Sequence, residues 1–214
     1  MRIVFKEDMG SDKAVALLSG GIDSPVAINL MQNKVEIIAM HFHQLPLTDE
    51  TEVEKVKLLA DKLGLKQLYL VPFADVLKQL VDKCNHRDYF ILSKILMFRT
   101  ANFLANQIDA KFLITGENLA QVSSQTLSNL SVITLNVNKL ILRPLLIFDK
   151  NDIINVAKKI GTYEISKGPE ICCLLGPKYP STRSEPDKIE LELSKIGVEE
   201  IIKQSLNKSE VVNF

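Results

Sequence analysis

Six consecutive residues, Ser19-Gly20-Gly21-Ile22-Asp23-Ser24, combine the groups that an anion site needs. Two adjacent glycines let the backbone come close to a ligand. Ser19 and Ser24 add hydroxyl donors, and Asp23 adds a carboxylate. An apolar run ends just before them and a helical pattern opens at Asp23. The free amides and dipole of a helix start would therefore face the bound group, and a phosphate suits that arrangement. The plainer reading is a strand–helix turn with Asp23 or Ser24 as its N-cap. No Gly-Lys-Ser/Thr follows and Gly-x-Gly-x-x-Gly is absent, so neither a Walker loop nor a dinucleotide fingerprint is present. The second reactive group is Cys172-Cys173, within Pro169-Glu170-Ile171-Cys172-Cys173. A cysteine reacts as its thiolate, and residues 166–184 set Lys167, Lys178 and Arg183 against one acid, Glu170. The plainer reading there is two small buried hydrophobes. Cys84 follows a helical apolar segment and reads as structural. Cys84-x-His86 and His41-x-His43 have ligand-like spacing but lack further ligands.

These residues need a frame. Residues 14–18, 35–42, 67–71 and 111–115 are short apolar runs without alternation, the pattern of strands buried on both faces. Helical spacing fills the gaps at 23–32, with Pro25 in the first turn, and at 51–63, with Gly64 as a stop. It continues at 93–107 and at 149–160, with Gly161 as the end. Strands alternating with helices predict an α/β fold, a Rossmann-like parallel sheet with helices on both faces. Ligands bind such sheets beyond the carboxyl ends of the strands, so residues 19–24, 41–43 and 116–125 are the candidates. Residues 166–184 lack periodicity and predict a long loop, the kind that carries function. Residues 185–204 return to helical spacing. The expected division is a catalytic domain over 1–184 and a helical extension of it over 185–214.

Composition bounds the function. The chain has 214 residues, and 46% of them are hydrophobic, enough for a core without disulfides. Three cysteines are too few for a disulfide framework or an all-cysteine zinc site. No apolar run approaches membrane-spanning length and the N-terminus lacks a signal-peptide core, which predicts a cytoplasmic protein without a membrane partner. With 26 basic against 26 acidic residues, any grip on nucleic acid must be a local patch.

The Ser-Gly-Gly-Ile-Asp-Ser segment resembles the pyrophosphate (PP) loop of the N-type ATP pyrophosphatases. That family splits ATP between the α and β phosphates, adenylates a carbonyl oxygen and lets a nucleophile displace AMP. Residues 19–27 (SGGIDSPVA), 41–43 (HFH), 115–130 (TGENLAQVSSQTLSNL), 142–150 (LRPLLIFDK) and 160–166 (IGTYEIS) follow in the order seen in the catalytic domain of the tRNA 4-thiouridine synthetase family, which also serves thiamine biosynthesis. The likeness runs over about residues 13–184. It implies an adenine nucleotide alpha hydrolase-like fold and an ATP-dependent tRNA sulfurtransferase that replaces uridine O4 with sulfur. It also implies roles. Leu17, Leu18, His41 and Phe42 would hold the adenosine. Ser19, Gly20, Gly21, Asp23 and Ser24 would bind the pyrophosphate, with Asp23 needed for adenylation and near Mg²⁺. Lys94, Gly116 and Gln125 would complete the ATP site. Cys172 would handle the sulfur, with Cys173 next best.

Departures from the family set further expectations. Only about a dozen residues precede the first strand, which predicts that no RNA-binding module is present and that tRNA binds weakly to this chain alone. Lys167, Lys178 and Arg183 would form the patch, and a homodimer pooling two patches would supply the rest. No cysteine follows Cys173, so sulfur is expected in trans, from a donor protein or as sulfide. Phe90 and Ser93 stand where some archaeal relatives place an iron–sulfur Cys-x-x-Cys pair, and Ile95 replaces a second basic residue after Lys94. Two other readings follow from these departures. One is a pyrophosphatase adenylating another acceptor, and the other is a nucleotide-binding subunit that needs partner chains.

Overall fold

The computed structural model describes residues 12–168 and 175–214. Five parallel strands form the sheet: β1 (Lys13–Leu17), β2 (Glu36–His43), β3 (Gln67–Pro72), β4 (Phe112–Ile114) and β5 (Leu140–Leu142). A sixth, β6 (Glu210–Asn213), pairs antiparallel with β3. The spatial order is β5-β4-β1-β2-β3-β6. Neither β5 nor β6 is expected from the sequence: β5 is cut off by Arg143-Pro144, and β6 holds only two apolar residues, Val211 and Val212. The sheet is thus mixed, and the stretch after residue 185 ends in a strand rather than a helix.

Alternate side chains along the strands feed two separate cores, which is why the strands read as continuous apolar runs. Val15, Met40, Phe42, Val71 and Leu113 face one core. Ala14, Ala16, Ala39, Leu68, Leu70 and Ile114 face the other. Helices α1 (Asp23–Met31), α2 (Thr51–Lys62) and α6 (Lys150–Lys159) cover the second core. Helices α3 (Ala74–Lys83), α4 (Tyr89–Gln107), α8 (Pro186–Leu193) and α9 (Val198–Asn207) cover the first, and α5 (Leu127–Leu135) packs on α4. The short α7 (Tyr163–Ser166) joins α2 and α6. Gly64 and Gly161 take φ of 66° and 75°, the left-handed conformation that closes α2 and α6. Helix α4 starts four residues before the apolar spacing predicts, after a 3-10 turn at His86–Asp88 in which the Asn85 side chain accepts from Arg87 N–H. None of the described helices is long and apolar enough to cross a membrane.

The strand order places the site. From β1 the chain builds outward through β2 and β3, then returns to the other side of β1 with β4. The reversal lies between β1 and β4, and the crevice beyond their carboxyl ends is where sheets of this type hold ligands. The chain leaves β1 into residues 18–22 and leaves β4 into residues 115–125.

Candidate active site

The loop between β1 and α1 is closed by its own serines. Ser19 N–H donates to Ser24 Oγ at 2.8 Å, the two hydroxyls lie 3.1 Å apart, and Ser24 Oγ donates to Ser19 C=O at 3.3 Å. Ser24 is therefore spent on the loop and does not cap α1. The N-cap position is Ile22, and no side chain caps the helix. This corrects the plainer reading of Asp23 or Ser24 as an N-cap. A helix start without a side-chain acceptor keeps amides for an external anion. Ser166, at the end of α7, braces the same loop by donating to Gly21 C=O at 3.1 Å.

Asp23, in the first turn of α1, is held by Lys150 from the start of α6, Nζ to Oδ1 2.6 Å. Lys150 was not singled out from the sequence. It stands at the end of residues 142–150, directly after Asp149, which caps α6 by accepting from Asn151 N–H. A lysine in a helix start, where the dipole disfavours a cation, was the available signal.

Gly116 is where the second loop meets the first. A Cβ there would lie 2.6 Å from Ser24 N and 2.7 Å from Asp23 C. No side chain fits without displacing the start of α1, so Gly116 lets the loop after β4 touch the first turn of α1. Beside it, the Glu117 carboxylate is 3% exposed and bonds to two cations. Lys94 Nζ reaches Oε1 at 2.8 Å and Arg143 Nε reaches Oε2 at 2.8 Å. Burial pushes the Glu117 carboxyl upward, and the two cations more than offset it and hold it below its ordinary value. Lys94 is thus engaged with Glu117 rather than standing free, and Arg143, just past β5, is a partner the sequence reading missed. Gln125 closes a 3-10 turn, its N–H donating to Val122 C=O at 2.9 Å, and its Oε1 is buried without a partner among the described residues.

His41 and Phe42, near the end of β2, are inside. His41 is 3% exposed, with Nδ1 2.9 Å from Leu18 C=O. A carbonyl only accepts, so Nδ1 carries the proton. Burial, offset in part by that bond and aided by nearby His43, lowers its pKa to about 4. The ring is a neutral strut that fixes the Leu18 carbonyl beside the loop at Ser19–Ser24. Phe42 packs edge-on against Phe73, centroids 4.9 Å apart. Leu18 is buried and Leu17 half-buried at the mouth of the crevice.

Residues 115–130 do mostly structural work. Asn118 Nδ2 donates to Leu145 C=O at 2.9 Å and to Phe148 C=O at 2.7 Å. Asn129, fully buried, donates to Ser123 and Ser181 carbonyls and accepts from Ser184 N–H at 2.9 Å. Thr126 and Ser128 hydroxyls hold Thr182 and Ser184 carbonyls at 2.8 Å. The late loop is thereby stitched to the β4 side of the crevice.

Cys172 and Cys173 lie outside the described residues. Their described flanks are anchored on one side by Ser166 against Gly21, and on the other by His86, whose Nε2 donates to Leu175 C=O at 2.7 Å. Cys84 is half-buried; burial and Glu192 raise its thiol pKa, so it stays protonated. Among the described residues no three His, Cys, Asp or Glu side chains form a metal-binding group. Of the basic patch, Lys167 pairs with Glu164, Lys178 lies 5.4 Å over the Tyr179 ring, and Arg183 follows on the same loop.

Comparison with known proteins agrees with this architecture. A probable tRNA sulfurtransferase of Acetivibrio thermocellus is 41% identical over 214 residues, covering 96% of this chain and 55% of that protein. The crystal structure of a 4-thiouridine synthetase–RNA complex with bound ATP matches with a TM-score of 0.87 and 35% identity, over 94% of this chain and 55% of that one. The chain therefore spans about half the length of these relatives. The NH3-dependent NAD synthetase of Campylobacter jejuni shares the fold alone, with a TM-score of 0.55 at 16% identity over 72% of this chain and 66% of that one. The profile of the family described as thiamine biosynthesis protein (ThiI) matches residues 9–198, and the chain belongs to that family.

Proposed function

We propose that this chain is the ATP-consuming part of a tRNA sulfurtransferase. The observation that carries the proposal is the phosphate loop: a Ser-Gly-Gly segment at the reversal of strand order, backed by Gly116 and leading into a helix whose first turn has no side-chain cap. Mg·ATP is the substrate. Leu17, Leu18, His41 and Phe42 form the adenosine side, where the neutral His41 ring keeps the Leu18 carbonyl in place. Ser19, Gly20, Gly21, Asp23 and Ser24 receive the pyrophosphate. Lys150 orients the Asp23 carboxylate, which meets the magnesium that travels with the nucleotide. One carboxylate fits that role, since magnesium on a nucleotide takes most of its ligands from phosphate and water. Lys94, Gly116 and Gln125 complete the nucleotide site.

Uridine O4 attacks the α phosphorus, an O–P bond forms, and the α–β bridge breaks to release pyrophosphate. A sulfur nucleophile supplied in trans, by a donor protein or as sulfide, then attacks C4, and AMP leaves. The protein's part in the first step is positioning and charge stabilisation. With a persulfide donor, the Cys172 thiolate takes the outer sulfur as the donor thiol leaves, and that sulfur attacks C4 as AMP departs. A second thiol, Cys173 or an external one, then attacks the Cys172 sulfur to form a disulfide and free the thiocarbonyl. With sulfide, the sulfur attacks C4 directly and Cys172 carries none. Two points favour the reading in which this chain grips tRNA weakly: its formal net charge is zero, and Lys167 is tied to Glu164. A homodimer would pool two such surfaces.

ATP–pyrophosphate exchange with and without tRNA tests the proposal. Exchange that rises with tRNA supports it, and exchange indifferent to tRNA moves the reading to another acceptor. Absence of exchange leaves a nucleotide-binding subunit. Asp23→Ala is expected to lower exchange by about 10²–10³-fold, as loss of one charge-stabilising group does. With a persulfide donor, Cys172→Ser is expected to keep exchange and lose thiolated product. Full thiolation by that variant removes the sulfur-handling role.

A further inference from the structure

The phosphate loop has a second lysine on it, from α2. Lys55 lies across Gly20: its Cδ is 3.2 Å and its Nζ 3.8 Å from the position a Cβ on Gly20 would occupy. Helix α2 follows β2, so its first turns stand at the carboxyl edge of the sheet with the loop. Val53 and Val56 are buried on either side of this position and fix the rotation of the helix. That rotation sends the Lys55 stem over the glycine.

The neighbouring cations are neutralised. Lys57 pairs with Glu54 at 3.0 Å, and Lys150 pairs with Asp23. Lys55 has no carboxylate partner among the described residues. Its ammonium lies over Gly20, three residues before the uncapped start of α1 at Asp23. The one carboxylate in that first turn, Asp23, is already paired with Lys150, so Lys55 is left with no ion-pair partner of its own among the described residues. A cation beside a helix start binds an anion more strongly than either does alone.

We infer that Lys55 holds the β and γ phosphates of ATP and the pyrophosphate released from them, clamping them against Gly20. The inference rests on the ATP reading of the loop. It divides the work between two lysines that meet that loop at different residues, Gly20 and Asp23. Lys150 acts through Asp23, whereas Lys55 meets the leaving group directly. Its contribution grows as charge moves onto the leaving pyrophosphate, which is where a cation lowers the barrier. AMP lacks the β and γ phosphates and does not reach Lys55.

Binding of ATP, AMP and inorganic pyrophosphate to the wild-type chain, Lys55→Met and Lys55→Arg, together with melting temperatures, tests this. Met keeps the stem that covers Gly20 and removes the charge. Lys55→Met is expected to weaken ATP and pyrophosphate by about tenfold each, the loss typical of one charge-assisted contact. AMP affinity and melting temperature should stay unchanged, and Lys55→Arg should recover most of the loss. Equal weakening of AMP and ATP would mean that Lys55 only props the loop, and unchanged ATP and pyrophosphate binding would make it a solvated surface charge. Either result overturns the inference while leaving the loop's function intact. A wild-type chain that binds pyrophosphate but not ATP would instead remove the ATP reading, and one that binds neither would remove both.

Discussion

Residues 19–24 and residues 115–130 both border the crevice, yet they are built in opposite ways. The first closes on itself, with the Ser19 and Ser24 bonds spanning five residues. The second holds its shape through partners far away in sequence: Asn129 reaches Ser181 and Ser184, and Glu117 reaches Lys94 and Arg143. The first loop has bonds of its own to start from, and Ser166 on Gly21 and Lys150 on Asp23 then tie it to the chain's second half. A loop stitched to distant segments reports on whether the whole sheet edge has assembled. The anion cradle is therefore local, and its alignment with the rest of the site is collective.

The strongest way to break this division is at Gly116, where the regions touch. Gly116→Ala is expected to destabilise the fold by about 1–3 kcal/mol through overpacking. It should also cut pyrophosphate release by about 10²-fold by displacing Ser24 and Asp23. Exchange kinetics and urea unfolding on the same variant measure both. Unchanged exchange would show that the loop tolerates misalignment.

Glu117→Gln should hurt the collective region and spare the local one. It leaves Lys94 and Arg143 facing a neutral group in a buried site, at a cost of about 3–5 kcal/mol. In the wild type the depressed carboxyl stabilises the fold above the ordinary carboxylate range. That contribution is lost as pH falls through the folded-state pKa, so the Gln variant should lack this part of the acid sensitivity. Urea titrations between neutral and strongly acidic pH separate the two curves.

The expected effect that is smallest at neutral pH, and grows only in acid, lies behind the loop. His41 is buried neutral with a pKa lowered from 6.5 to about 4. The unfolded chain binds the proton first as pH falls, so stability declines by about 1.4 kcal/mol per unit between those values. His41→Asn keeps a donor for the Leu18 carbonyl and removes the titration. It should flatten that slope, at the expense of a modest cavity. A slope that survives the substitution would place the titrating group elsewhere.

The local region was legible and the collective one was not, for the same physical reason. The Ser-Gly-Gly loop, strands β1 to β4, Pro25 in the first turn of α1 and the glycine stops at 64 and 161 are set by neighbours in sequence. Lys150 on Asp23, Arg143 on Glu117 and Lys55 over Gly20 join residues that only tertiary packing brings together. Residues 115–130 could be recognised as a motif, but their spacing gave no hint that Asn118 and Asn129 staple loops. Strand β5 is cut off by Arg143-Pro144 and β6 holds only two apolar residues, so neither shows a readable run, whereas the equally short β4 lies in the run at 111–115.

Those two short strands have a consequence at the flanks of the sheet. Each is an outer strand among the described residues, so the edge groups that face outward there span only three or four residues on either side. Another chain seeking to extend the sheet would find little to template on, and β6 begins with a glutamate, next to Lys208 and Ser209. The longer apolar strands β1, β2 and β3 would each be an adhesive border if left at the margin, and all three lie inside the row. Resistance to strand-by-strand aggregation is thereby supplied by the two elements that carry the least hydrophobic signal.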